Sequence, residues 1–328
     1  MPKKLLNGYE EHKGVFTPEV VGERTLQVIE ERTTDPRGGL ELGIPSIDRV
    51  LLPMRPGEVI GVLGYTSNYK TGLMNYVARY HARKLAMLNS DKAVISVLWE
   101  QSIEEQGAVD IAQFIKIDAT KMMRGELDAN ELIKLKEGAE KRGKIPWYLI
   151  GHSVLDKSRR SRMDMNDVSI AFKRLEDVLN VEPALVTLDY LQRIARGKKA
   201  NTMREGFIEI VDRVKDMSLA IGVPVMLGCQ AKRDVKRRVW KMPQQDDAQE
   251  TSNFEQTCDK LISLWMPKND EAIDSEGDKG ELDWVVTDNL LLLMIAKQRF
   301  GPAPRLFQCH VKPELGEINA IDKYAMTN

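Results

Sequence analysis

Apolar positions along the chain follow two rhythms. Seven short runs, EVIGVLG (58–64), AVISVLW (93–99), PWYLIG (146–151), ALVTLDY (184–190), PVMLGC (224–229), KLISLWM (260–266) and LLLLMIAKQ (290–298), are nearly continuous in apolar residues. That is the pattern of strands buried on both faces. Between several of them, residues 71–89, 102–118, 128–142, 166–180 and 203–222 carry apolar positions at helical spacing. The alternation predicts an α/β fold, a mostly parallel sheet with helices on both faces. Ahead of it, Pro18–Arg32 reads as a short helix, with Val20, Val21, Leu26 and Ile29 near helical spacing and Pro18 and Glu19 suited to its first turn. The loop TTDPRGG follows. The chain thus divides into an N-terminal arm and linker helix over 1–39 and a main domain over 40–328. A lone helix cannot bury its own apolar side, so this one is expected to pack on the main domain or on a neighbouring subunit. The acidic stretch 269–283 reads as a solvated hairpin tip or flexible insertion.

Composition narrows the function. The formal net charge is -1, so no global basic field draws the chain to nucleic acid, and any such contact needs a local patch. Two basic runs could supply one, KSRRSR (157–162) and KRDVKRR (232–238). A solvated surface is the better reading of the first. Cys229, Cys258 and Cys309 are far apart and odd in number, which fits reduced buried thiols. His12, His81, His152 and His310 do not pair at ligand spacing, so no protein-held transition metal is expected. The longest apolar run, Leu290 to Ala296, is too short to span a bilayer. The first residues lack the apolar core of a secretory signal, and the cytoplasm is the expected compartment.

Candidate chemistry gathers at the ends of the apolar runs. The first ends in Gly64-Tyr65-Thr66-Ser67-Asn68-Tyr69-Lys70-Thr71, the spacing of a phosphate-binding loop, G-x-x-x-x-G-K-[ST]. In such a loop, backbone N–H groups at a helix N-terminus cradle phosphates. Lys70 would reach the β- and γ-phosphates of ATP, and the Thr71 hydroxyl would hold Mg²⁺. Tyr69 stands where glycine is expected, and a left-handed backbone there would cost roughly 1–2 kcal/mol. Glu100 ends the second run, where ligands bind in parallel sheets, and could orient an attacking water; a plain surface carboxylate reads as well. Asp189 closes a Leu-Val-Thr-Leu run in the pattern of the aspartate that supports Mg²⁺. Gln230 ends the fifth run, where an amide could sense the γ-phosphate.

Taken in order, these segments resemble the motor domain of the DnaB-type ring-shaped replicative DNA helicases. The resemblance runs over residues 18–320 through GIPSIDRVLLPMRPGEVIGVLG, ISVLWEQS, TLDYLQ, GVPVMLGCQAKRDVKRR, ETSNFEQTCDKLISLW and AKQRFGP. It implies a RecA-like P-loop core preceded by a linker helix that docks on an adjacent subunit. It further implies a homohexamer that hydrolyses ATP with Mg²⁺ and acts on single-stranded DNA, with a primase or helicase loader as partner. Glu100 would be the general base, Asp189 the Mg²⁺ support and Gln230 the coupling residue. Lys297 and Arg299 would act in trans on a neighbour's γ-phosphate. DNA would meet the loop after Asp189, with Arg196, Lys198 and Lys199, and the loop 231–253, with Lys232, Arg233, Lys236, Arg237 and Arg238. The family's DNA-gripping segment falls on Gln249, Glu250, Thr251 and Ser252. The chain departs from the family there, with Gln249 for arginine and Ser252 for glycine. The family's helical collar exceeds what residues 1–17 could form, which suits a small phage or plasmid helicase. Two other readings compete: a helicase-like DNA-binding scaffold whose ATP site Tyr69 has weakened, and a RecA- or KaiC-like ATPase with another task.

Overall fold

A computed structural model of the chain describes residues 16–156, 163–194, 202–232, 241–249, 253–269 and 286–321. The elements begin with α1 (Pro18–Thr34), α2 (Pro45–Asp48), β1 (Val59–Gly64), α3 (Lys70–Met87), β2 (Lys92–Leu98) and α4 (Ile103–Ile115). They continue with α5 (Ala119–Met123), α6 (Ala129–Gly143), β3 (Trp147–Ile150), α7 (Met165–Leu179), β4 (Glu182–Asp189) and α8 (Met203–Ile221). The last are β5 (Val225–Gln230), α9 (Asn253–Thr257), β6 (Lys260–Trp265), β7 (Leu290–Gln298), β8 (Arg305–Lys312) and β9 (Glu317–Ala320).

All six residues of β1 are buried, because it is covered on both sides. Val59 and Leu63 pack into one apolar cluster with Phe207, Val211 and Val214 of α8. Ile60 and Val62 pack into the other, with Leu73, Met74 and Val77 of α3. Alternate residues of one strand thus feed two cores, as the period of two requires. The nine strands form one sheet in the order β3-β2-β4-β5-β1-β6-β7-β8-β9. From β3 to β6 the pairings are parallel. The pairs β6–β7, β7–β8 and β8–β9 are antiparallel. Three polar residues inside the sheet satisfy one another: Thr187 Oγ1 and Trp147 Nε1 both donate to Ser96 Oγ, at 2.7 and 2.8 Å.

Each of the seven apolar runs is a strand, and each of the five periodic stretches a helix, with ends shifted by a few residues. α2, α5, α9, β8 and β9 were not anticipated. Cys229, Cys258 and Cys309 are buried free thiols. No described helix is long and apolar enough to cross a membrane. The chain divides into two compact units after Gly39. In the first, α1 runs two residues past Arg32 to Thr34, and none of its residues is buried. The runs KSRRSR and, but for Asn269, the acidic stretch 269–283 lie outside the described residues.

The turn after β7 carries Phe300 with φ 63° and 95% of its surface exposed. A bulky residue in the left-handed region is strained, and an exposed ring gains nothing from burial. Phe300→Asn is expected to raise stability by about 1 kcal/mol, read from the urea unfolding midpoint. An unchanged or lowered midpoint would show that the ring makes a stabilising contact.

Candidate functional site

Strands β2, β4, β5 and β1 are neighbours and parallel, so their carboxyl ends meet at one edge of the sheet. That edge brings together Glu100, just beyond β2, Asp189 at the end of β4, Gln230 at the end of β5 and the loop after β1. Glu100, Gln230 and the loop border a cleft of about 420 Å³, lined also by Tyr69, Lys70, Thr71 and Tyr190, and Asp189 is buried behind Thr71.

Helix α3 starts at Lys70 with no side-chain cap and no acidic residue in its first turn. Among the described helices of more than ten residues it alone lacks such a cap. Thr17, Ser102, Asp128, Asp164 and Thr202 cap the others. Its first-turn N–H groups are left for an anion. Lys70 Nζ donates to the Tyr65 carbonyl at 2.7 Å and lies 5.7 Å from the centre of the Tyr190 ring. Burial lowers the Lys70 pKa, and Asp189 and Glu100 oppose that shift. A Cβ at Gly64 would stand 3.1 Å from the Leu264 carbonyl oxygen and 3.2 Å from Lys70 Cγ, so the loop leaves β1 in close quarters. The Asn68 side chain ties the loop down, accepting from the Met266 N–H at 2.6 Å.

Thr71 Oγ1 donates to Asp189 Oδ2 at 2.6 Å. Asp189 Oδ1 is buried and has no hydrogen-bond partner. Burial raises the Asp189 pKa, against the Thr71 hydrogen bond and the Lys70 charge. A hydroxyl beside a carboxylate with an unsatisfied oxygen is a hard-oxygen donor set that fits Mg²⁺. Gln230 Nε2 donates to Thr66 Oγ1 at 2.9 Å, so the end of β5 touches the phosphate loop. Glu100 is half exposed and meets Arg193 Nη2 at 3.4 Å.

The other predicted residues are placed differently. The β7–β8 turn lies at the opposite edge of the sheet, because Gln298 pairs with Lys260, which itself pairs with Ile60 near the start of β1. The length of β1 puts the turn roughly 20 Å from the phosphate loop of its own chain. There Arg299 is 60% exposed, 3.4 Å from Asp259. Lys297 instead donates to the carbonyls of Glu255 and Cys258 at 2.6 and 2.8 Å. Of the expected DNA contacts, Lys232 and Gln249 are described. Lys232 Nζ donates to the Asp246 carbonyl at 2.8 Å, and the Gln249 N–H to the Gln230 carbonyl at 2.9 Å. Arg196, Lys198, Lys199, Arg233, Lys236, Arg237, Arg238, Glu250, Thr251 and Ser252 lie outside the described residues.

Several residues at or beside the cleft escaped the sequence reading. Gln192 and Arg193 follow closely on Asp189 and contact cleft residues: the Gln192 carbonyl oxygen Oε1 accepts from the Gln230 N–H at 3.1 Å, and Arg193 meets Glu100. Their position after a strand-terminal aspartate was the available signal. Asn75, Arg79, Val109, Pro313 and Gly316 also line the cleft. They come from three separate elements and share no local pattern.

Residues 39–313 match the DnaB-like helicase C terminal domain family. The replicative DNA helicase DnaB of Pasteurella multocida is 24% identical over 290 residues, 87% of this chain and 57% of that protein. The corresponding helicase of Mycobacterium intracellulare is 26% identical over 195 residues, 60% of this chain and 30% of that protein. The chain therefore spans between about a third and a little over half of these relatives. Among solved structures, one ATPase domain superposes with TM-score 0.75 at 19% identity, over 92% of this chain and 99% of that one. A DnaB-like replicative helicase studied with primase gives 0.73 at 19% identity, over 90% and 66%. A KaiC-like protein of Pyrococcus horikoshii gives 0.51 at 14% identity, over 86% and 98%. The expected RecA-like α/β fold is borne out.

Proposed function

Because the chain belongs to the DnaB-like helicase C-terminal domain family, we propose that it is the ATP-hydrolysing motor of a ring-shaped replicative DNA helicase that acts on single-stranded DNA. The observation that carries this reading is the convergence of Lys70, Thr71, Glu100 and Gln230 on one cleft at the carboxyl ends of adjacent parallel strands, with Asp189 bonded to Thr71 behind it. The open first turn of α3 and the Lys70 ammonium suit the β- and γ-phosphates of ATP. Thr71 and Asp189 would hold Mg²⁺, which supplies neutralisation of charge on the phosphate oxygens. Glu100 would take the proton of the attacking water, once it parts from Arg193. Gln230 links Thr66 of the loop to Gln249, the return end of the loop 231–253, through its side chain and its carbonyl. That path would carry the state of the γ-phosphate to DNA.

The opposite-edge position of Arg299 supports a role in trans. An arginine that far from its own loop can complete only a neighbour's site. Lys297, bound to carbonyls of its own chain, would position the base of that turn, and would reach a neighbour only by giving them up. The hexamer, the partnership with primase or a loader, and a phage or plasmid origin belong to the same proposal.

The test is ATP turnover by the purified chain with and without single-stranded DNA. Turnover that DNA accelerates severalfold is the expected result. A protein that binds DNA and leaves ATP intact would instead be a scaffold that has lost its motor.

A further inference from the structure

Tyr69 occupies the glycine position of the phosphate loop, and its surroundings show how it is accommodated. Its backbone is left-handed, at φ 63° and ψ 22°. The ring does not stand alone in the cleft. It lies against Gly72, where an added Cβ would come within 2.6 Å of the ring carbons. The hydroxyl points to the Glu317 carbonyl oxygen on β9, at 3.5 Å. Burial raises the pKa of that hydroxyl, so it stays a neutral phenol. The space for the ring therefore exists because residue 72 has no side chain.

The cleft lining falls into two chemically distinct parts. Lys70, Thr71, Glu100 and Gln230 are polar and sit at the strand ends. Tyr69, Val109, Pro313 and Gly316 are aromatic, aliphatic or bare backbone, and come from the loop, α4 and the turn before β9, with the polar Asn75 and Arg79 of α3 beside them. The Gly316 carbonyl accepts from Arg79 Nη1 at 3.0 Å, and Glu317 pairs with Lys116 at the end of α4 at 2.6 Å. These bonds hold the second part of the lining together. A triphosphate matches the first part. The second offers an aromatic face and aliphatic surface, the chemistry that accepts a nucleoside.

We propose that Tyr69 is a specificity-determining residue: its ring, laid in the space that Gly72 leaves open, is the wall against which the base and sugar of the bound nucleotide pack. This rests on the reading of the cleft as an ATP site. The left-handed backbone at Tyr69 is thus kept for recognition of the nucleoside, and the phosphates are held by neighbouring residues.

Calorimetric titration of the full chain with Mg²⁺-ATP and, separately, with Mg²⁺-tripolyphosphate tests the proposal. Tripolyphosphate has the phosphates and no nucleoside. Tyr69→Gly, which suits the backbone, is expected to weaken ATP binding about tenfold, the lower part of the range for stacking on an aromatic ring. It leaves tripolyphosphate binding unchanged, and Tyr69→Phe matches the parent for both ligands. Gly72→Ala, which displaces the ring, weakens ATP binding in the same way, and Tyr69→Gly in that background adds little further loss. Tighter binding of both ligands by Tyr69→Gly would make the tyrosine a plug and overturn the proposal. Equal weakening of both would reduce it to a support of loop shape, and no change in either would leave it without a role; both results overturn the proposal as well. A parent chain that binds neither ligand would instead remove the ATP reading itself.

Discussion

Lys70→Ala is expected to lower ATP turnover by about a hundredfold or more while leaving the melting temperature unchanged or raised. The two halves have one cause. A preorganised cation at developing phosphate charge is worth about 3–4 kcal/mol when the site excludes water. Lys70 is 8% exposed, and burial already disfavours its charge. Its ammonium is held by the Tyr65 carbonyl, a neutral partner. Removing it deletes a desolvated charge at the same stroke as it deletes the phosphate contact. Turnover assays and thermal melts on one preparation separate the effects. A variant that keeps more than about a tenth of the parent turnover would show that the phosphates are held elsewhere.

Asp110→Ala is expected to destabilise the chain by about 3–5 kcal/mol, the cost of breaking a buried ion pair from one side. Asp110 and Arg79 are 1% and 2% exposed. The carboxylate accepts from Arg79 at 3.1 Å, Arg142 at 3.0 Å and Gln106 at 2.9 Å. It thereby ties α3, α4 and α6 together behind the cleft. Burial raises the Asp110 pKa while the two guanidinium groups oppose that shift. Without the carboxylate, Arg79 keeps its charge in the interior with a neutral carbonyl, that of Gly316, and the Trp147 ring 5.9 Å away as partners. Urea denaturation measures the loss. Pairing Asp110→Ala with Arg79→Met should recover much of it, since the stranded charge is then gone. A single-variant loss below about 1 kcal/mol would mean that water reaches the guanidinium.

Much of this arrangement is legible in the sequence because its parts are local. Glu100, Asp189 and Gln230 each close an apolar run, and parallel strands deliver such residues to one edge. The loop from Gly64 to Thr71 announces itself by spacing. β8 was missed because RLFQCHVK lies toward the edge of the sheet, with only Cys309 and Val311 buried, so it has no continuous apolar run. β9 is four residues long. The network around Asp110 was out of reach because it exists only once three helices pack. The Tyr69 departure was visible, and the place its ring goes was not, since Gly72 has no side chain to signal it. The tight hold of Lys297 on the end of α9 was likewise hidden, because its acceptors are backbone carbonyls rather than side chains.

The separation of Arg299 from the phosphate loop, at opposite edges of one sheet, has a geometric consequence. A two-fold dimer could make the exchange only by burying both patches in one interface, so that each copy gives and receives across the same contact. The giving patch and the receiving patch are distinct, so in the proposed ring, where each copy gives to one neighbour and receives from the other, the contact would be head-to-tail. Repeated around a closed circle, the same contact gives the assembly a sense of rotation, clockwise or anticlockwise, that every member shares. A defective arginine would then silence the site next door and spare its owner's, so that damage in a mixed population travels one way round.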